Sequence, residues 1–93
     1  MIWYKQGVIG TLSREAQRGL GRLASFFVLD NQDVFITSVE EGTHSYGSLH
    51  YTHNAFDIRP NKKYSLAQIK SFVGEGFDVV DEGSHIHIEY DPK

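Results

Sequence analysis

The sequence predicts a small α+β domain in which helices pack on one face of a small antiparallel sheet. Two segments repeat apolar side chains at helical spacing, and four short segments are rich in β-branched and aromatic residues. The chain has 93 residues, which is enough for one domain with a single core. We therefore treat residues 1–93 as one domain.

Composition excludes several classes of function. The chain has no cysteine, so disulfides and thiolate metal sites are excluded. The net charge is −3 and the basic residues are scattered, which argues against nucleic acid as the main partner. No segment reaches the ~20 apolar residues of a membrane span, and the N-terminus does not resemble a signal peptide. We expect synthesis in the cytoplasm, and composition leaves the oligomeric state open.

The first predicted helix covers residues 13–28. Ser13 is a good N-cap, and apolar residues follow at helical spacing. Those residues are Ala16, Leu20, Leu23 and Phe27. Gly19 and Gly21 lower helix propensity, and one interpretation is that they allow close packing on another element. Residues 30–33 then form a turn.

Two strands and a loop follow. Residues 34–39, VFITSV, are rich in β-branched residues and are predicted as a strand. Residues 40–50 are polar and rich in glycine, serine and histidine, which is typical of a functional loop. Residues 55–59 form a second strand, and Pro60 ends it.

The C-terminal part combines a helix with a hairpin. The helix covers residues 65–73, beginning with a capping box of Ser65 and Gln68. Strands 77–81 and 84–90 follow, joined by a two-residue turn at 82–83.

The register of this hairpin follows from the turn. Asp81 would pair with Ser84, and Asp78 would then lie opposite His87. Val79 would lie opposite Ile86 on the core face.

Strand alternation brings three polar residues to one face. Asp57 alternates with apolar neighbours in its strand, as do His85 and His87 in theirs. If the apolar side chains face the helices, these three share the opposite face. A carboxylate in an apolar strand needs a partner, and a metal ion shared with histidines would be one. Two imidazoles and a carboxylate leave one position open for water, as in catalytic zinc sites. The alternative is an exposed His-x-His pair that binds nothing.

Two segments carry a resemblance to a known family. They are GTHSYGSLHYTHNAFDIR and EGSHIHIEYD, which contain Ser-x-His, six residues, Asp, and later His-x-His. This combination resembles the D-Ala-D-Ala metallopeptidase family and its relative, the hedgehog signalling domain. The similarity covers roughly residues 33–91 and extends to phage-encoded cell-wall peptidases.

The resemblance implies a set of site residues. The ligands of one zinc ion (Zn²⁺) would be His50, Asp57 and His87, and His85 would be catalytic. His44 matches a histidine that lines the hedgehog pseudo-active site, so it would contact substrate.

Further roles implied by the resemblance have alternatives. The catalytic base would be Glu82, in Glu-x-x-His, or Asp81, which fits the hedgehog spacing. The Glu-x-x-His register would make His85 the third ligand, but His87 matches His-Ile-His directly. Ser48 would orient a ligand, or would only cap the loop through a backbone hydrogen bond.

The implied function is a zinc-dependent peptidase, endolysin-like, that acts on peptidoglycan stem peptides once released to the cell wall. It would be a D-Ala-D-Ala carboxypeptidase or an endopeptidase.

Family members usually carry an arginine before the first ligand, and residues 34–49 contain none. Arg18, Arg22 or Arg59 would serve instead, unless the substrate has no free carboxylate there. The alternative function is a hedgehog-like binding module that keeps zinc without turnover.

Overall fold

The structure, a computed structural model, describes residues 1–8, 11–40 and 53–92, without the side chain of Glu40. Within these residues the chain forms two helices and a five-stranded sheet, so the α+β class is confirmed. In chain order the elements are β1 (Ile2–Tyr4), α1 (Arg14–Leu29), β2 (Val34–Glu40), β3 (Ala55–Ile58), α2 (Leu66–Val73), β4 (Phe77–Asp81) and β5 (Ile86–Tyr90).

Both helices begin at the caps that the sequence indicates. The Ser13 side chain accepts a hydrogen bond from the backbone N–H of Ala16, which satisfies a donor that the first turn leaves open. Ser65 and Gln68 form the complete capping box at the start of α2. In the described part of the chain, neither helix has the length and apolar character that crossing a membrane requires.

The sheet has the order β1-β2-β3-β5-β4, and its first pair is parallel. The remaining pairs are antiparallel, so the prediction of an antiparallel sheet is wrong only at the β1 edge. The sequence analysis missed β1 because three residues are too few to show an alternating pattern. Its pairing with β2 joins segments about thirty residues apart, which no local signal reveals.

The hydrophobic core lies between the helices and one face of the sheet. Strands β2, β3, β4 and β5 each contribute to it, and burial of this apolar surface is the main source of stability. Its strand residues are Val34, Ile36, Phe56, Ile58, Phe77, Ile86 and Ile88, and its other residues are Leu20, Leu23, Phe27, Tyr64, Ile69 and Val73.

The two glycines of α1 differ in their surroundings. Gly19 is buried, and a Cβ atom added there would overlap the ring of Phe77. Gly21 is exposed, and a Cβ atom added there would meet no described atom within 4 Å. Close packing therefore explains Gly19, as the sequence analysis suggested, but it does not explain Gly21.

Alanine substitutions at these glycines should change stability in opposite directions. Gly19→Ala should lower the free energy of unfolding by about 1–3 kcal/mol, because Phe77 must move. Gly21→Ala should raise it by about 0.5–1 kcal/mol, because alanine favours the helix. Urea denaturation of both variants measures the two effects. Equal effects in the same direction would contradict the contact between α1 and β4.

The β4–β5 hairpin has a longer connection than predicted. Asp81 pairs with Ile86, so residues 82–85 form a four-residue loop and the predicted pairing with Ser84 is wrong. The Asp81 carboxylate accepts a hydrogen bond from the N–H of Gly83, and the N–H of Glu82 donates to the carbonyl of His85. These local bonds stabilise the wider turn.

The longer connection shifts every pair in the hairpin by two residues. Asp78 therefore lies opposite Glu89 rather than His87, and Val79 lies opposite Ile88 rather than Ile86. Because side chains alternate with a period of two, the same residues still face the core.

Strand β2 contains an irregularity between Ile36 and Ser38. Ile36 pairs with Ile58 and Ser38 pairs with Asp57, so one strand has an extra residue between these pairs. This is the arrangement of a β-bulge, and it aligns Ser38 with Asp57.

Tyr64 packs in the core and forms a partly buried hydrogen bond. Its hydroxyl donates to the Asp30 carboxylate at 2.7 Å, and its ring stacks on Phe27 with 4.5 Å between centroids. Burial, followed by the hydrogen bond to Asp30 and the negative charge of that carboxylate, raises the pKa of Tyr64 to about 12.

This pKa predicts a loss of stability in alkali. Below pH 10 Tyr64 is protonated in the folded and the unfolded chain, so its contribution to stability is complete. Between pH 10 and 12 only the unfolded chain loses the proton, and stability should fall by about 3 kcal/mol. Urea denaturation across this range measures the decrease. Tyr64→Phe should flatten it, whereas Tyr4→Phe should not, because Tyr4 is 57% exposed.

Candidate metal centre

Asp57 occupies the centre of the sheet. It lies on β3 between Phe56 and Ile58, which both belong to the core. Successive side chains of a strand point to opposite faces, so its carboxylate points away from the core. Asp57 is nevertheless only 4% exposed. Its neighbours across the sheet are Ser38 on β2 and His87 on β5.

Two neighbours satisfy the buried carboxylate. The Ser38 hydroxyl donates to Oδ2 of Asp57 at 2.6 Å. Nδ1 of His87 lies 2.8 Å from Oδ1 of Asp57. A buried carboxylate requires such partners, because loss of hydration without compensation would cost several kcal/mol.

The wide loop of the hairpin brings two more side chains to this carboxylate. Nε2 of His85 lies 3.3 Å from Oε1 of Glu82 and 3.7 Å from Oδ2 of Asp57. The same oxygen of Glu82 lies 3.9 Å from Nδ1 of His87. Glu82 and His85 are partly exposed, whereas Asp57 is buried, so the cluster is open to solvent on the loop side.

Three of these residues form a group that could hold a metal ion. One ligand atom each from Asp57, Glu82 and His87 lies within 4.8 Å of the others. Ligand atoms of a tetrahedral zinc ion are about 3.3 Å apart, which follows from bond lengths of ~2.0 Å. The Nδ1 atom of His87 lies 2.8 Å from Asp57 and 3.9 Å from Glu82, on either side of that value. One imidazole nitrogen and two carboxylates are a donor set that suits a divalent ion.

Of the remaining predicted site residues, only Asp81 is described by the structure. Asp81 is exposed, and its carboxylate accepts the hydrogen bond from Gly83 in the hairpin loop. His44, Ser48 and His50 lie outside the described residues.

The sequence analysis missed one member of the cluster, Ser38. It was read only as part of a strand, and only the bulge in β2 aligns it with Asp57. For a second member, Glu89, the sequence allows either a residue that orients a ligand or an ordinary exposed strand glutamate. Glu89 is 7% exposed, and its Oε1 lies 3.1 Å from Nε2 of His87. The alternation of β5 puts Glu89 on the face of His87, which was the available signal.

Two open clefts flank the described part of β2. One, of about 330 Å³, is lined by Ser38 together with residues 5–8 and the neighbouring part of β2. The other, of about 290 Å³, is lined by Phe35, Arg59 and residues of the adjoining turns. The first cleft adjoins the cluster through Ser38, whose hydroxyl donates to Asp57. The second is lined by no residue of the cluster.

Comparisons of this chain with protein-family models, with curated proteins and with solved structures gave no match. The functional proposal therefore depends on the residues and geometry of the cluster, together with the resemblance of the two sequence segments.

Proposed function

We propose that this protein is a zinc-dependent peptidase that hydrolyses amide bonds in peptidoglycan stem peptides. The observation that carries the proposal is the convergence of Asp57, Glu82 and His87 on one point beside His85. These are the residues that the resemblance to the D-Ala-D-Ala metallopeptidase family assigns to the metal and its chemistry.

The proposed ligands are His50, Asp57 and His87. When bound, zinc would lower the pKa of water in its coordination shell towards ~7 and would polarise a peptide carbonyl. Ser38 would keep Asp57 in position, because its hydroxyl occupies Oδ2 and leaves Oδ1 directed towards His87.

Glu82 is the favoured general base. Its carboxylate is 46% exposed and lies next to the ring nitrogens of His85 and His87, within reach of an incoming substrate. It would accept a proton from water and pass it to the leaving amine. The Asp81 carboxylate is less suited to this role, because it accepts the hydrogen bond from Gly83.

His85 would stabilise negative charge on the reacting carbonyl oxygen. Its Nε2 lies 3.7 Å from the Asp57 carboxylate and 3.3 Å from that of Glu82, at the partly exposed edge of the cluster. An N–H of this ring would donate a hydrogen bond to the developing oxyanion.

The position of Arg59 favours carboxypeptidase activity over endopeptidase activity. It follows β3 directly, two residues after Asp57, and its backbone N–H donates to the carbonyl of Phe35. Its guanidinium lies 4.5 Å from the centroid of the Phe35 ring, and no hydrogen bond or ion pair occupies it among the described residues. Arg22 instead donates to the carbonyl of Val73, and Arg18 lies on α1. Arg59 could therefore bind a terminal carboxylate.

Peptide hydrolysis tests the proposal. Zinc-loaded protein should release D-alanine from a stem peptide ending in D-Ala-D-Ala, detected by mass spectrometry. The C-terminal amide of the same peptide should be cleaved at least about tenfold more slowly, because it cannot form the charged pair with Arg59. Arg59→Gln should remove this preference, whereas Arg18→Gln should keep it. No cleavage of either peptide, or of intact peptidoglycan, would contradict the proposal.

A further inference from the structure

Glu89 is a buried carboxylate beside the proposed metal site. It lies on β5, two residues after His87, and only 7% of its surface is exposed. Its Oε1 atom lies 3.1 Å from Nε2 of His87. Burying a glutamate in the middle of a sheet is costly, so its position beside this ring calls for a compensating interaction.

Both ring nitrogens of His87 face carboxylates. Nδ1 lies 2.8 Å from Asp57, and Nε2 lies 3.1 Å from Glu89. A neutral imidazole carries one N–H, so it can donate to only one of them. Both hydrogen bonds form only with a doubly protonated ring. A divalent ion would also satisfy both carboxylates. It would take the place of the proton at one ring nitrogen, while the other nitrogen keeps its N–H.

The surrounding donors indicate which nitrogen would bind the ion. Nδ1 is the ring atom that lies close to the carboxylates of both Asp57 and Glu82. Nε2 lies against Glu89. With an ion bound at Nδ1, the remaining N–H of the ring is on Nε2, where the Glu89 carboxylate accepts it.

We propose that Glu89 is a positioning residue that keeps the proton on Nε2 of His87 and thereby makes Nδ1 the metal-ligating atom. This inference rests on the metal site of the proposed function. The hydrogen bond fixes the orientation of the ring and increases the basicity of Nδ1, as carboxylates beside ligating histidines generally do. Ser38 holds Asp57 in a similar way, so the two ligands are positioned from opposite sides of the cluster.

Zinc affinity and histidine NMR test the inference. In the zinc-loaded wild-type protein, long-range ¹H–¹⁵N spectra should show His87 with a metal-bound Nδ1 and a protonated Nε2. In Glu89→Gln, competition with a chelator should show zinc affinity about 10–100-fold lower. Glu75→Gln is the matched control, because Glu75 is exposed and lies outside the sheet. It should bind zinc as the wild type does.

The outcomes separate this inference from the proposed function. A wild-type spectrum with zinc on Nε2 would overturn the inference even if Glu89→Gln failed to fold. Wild-type affinity in a folded Glu89→Gln variant would also overturn it, while peptide hydrolysis could still stand. Reduced affinity in a protein that cleaves no peptide would support the inference and contradict the peptidase. A wild-type protein that does not bind zinc would overturn both.

Discussion

Asp57→Asn should abolish zinc binding and peptide hydrolysis together. The substitution keeps the shape of the side chain but removes the negative charge and leaves one oxygen instead of two. Ser38 already occupies Oδ2 of the carboxylate, so the amide group would have to face either Ser38 or the metal. We expect zinc content to fall from about one ion per chain to background, measured by atomic absorption, because a charged ligand of the site is lost.

The same variant should lower the stability of the metal-free protein by a smaller amount. Asp57 is buried, and its hydrogen bonds join β2, β3 and β5. We expect a loss of about 1–3 kcal/mol in the free energy of unfolding, measured in urea with a chelator present. Asp33→Asn is the control, since Asp33 lies at the surface. Wild-type zinc content in Asp57→Asn would exclude Asp57 as a ligand.

Glu82→Gln should keep zinc and lose hydrolysis. Glutamine occupies nearly the same volume but cannot accept and return a proton, so we expect the turnover rate to fall about 10²–10⁴-fold. Zinc content should stay near that of the wild type if His50, Asp57 and His87 are the ligands. Release of D-alanine and zinc content, measured on the same preparations, give both results. Glu15→Gln is the control, because Glu15 is exposed on α1.

Other results for Glu82→Gln would assign a different role to Glu82. Loss of zinc together with activity would make Glu82 a ligand, as its distance to the donor atoms of Asp57 and His87 allows. Undiminished hydrolysis would exclude it as the base. If the zinc-loaded wild type cleaves no peptide, the hedgehog-like binding module becomes the better interpretation.

Local signals were sufficient to predict both helices and four of the five strands. Ser13 and Ser65 cap helices whose apolar spacing is regular, so the predicted bounds agree with the structure within one residue. The hairpin register could not be predicted with the same success. The side chain of Asp81 stabilises a four-residue loop through Gly83, and strand alternation is the same for both registers.

The candidate site was predicted in part. Alternation in β3 and β5 correctly predicted that His85 and His87 would lie beside Asp57. Ser38 was missed because its alignment depends on a bulge, and no residue pattern in VFITSV signals one. The position of Glu82 depends on the wider hairpin loop, so its approach to His87 could not be derived from the sequence.

The extra residue in β2 allows this strand to place a hydroxyl beside Asp57 and an apolar side chain beside Phe56. With regular pairing beyond Ile36, Thr37 would oppose Asp57 and Ser38 would oppose Phe56, so a hydroxyl would enter the core. The insertion instead pairs Ser38 with Asp57 and Val39 with Phe56. Relatives that lack a residue equivalent to Thr37 could keep both contacts in an unbroken strand. Evolutionary change in the length of β2 should therefore be tolerated at Thr37 and selected against on either side of it.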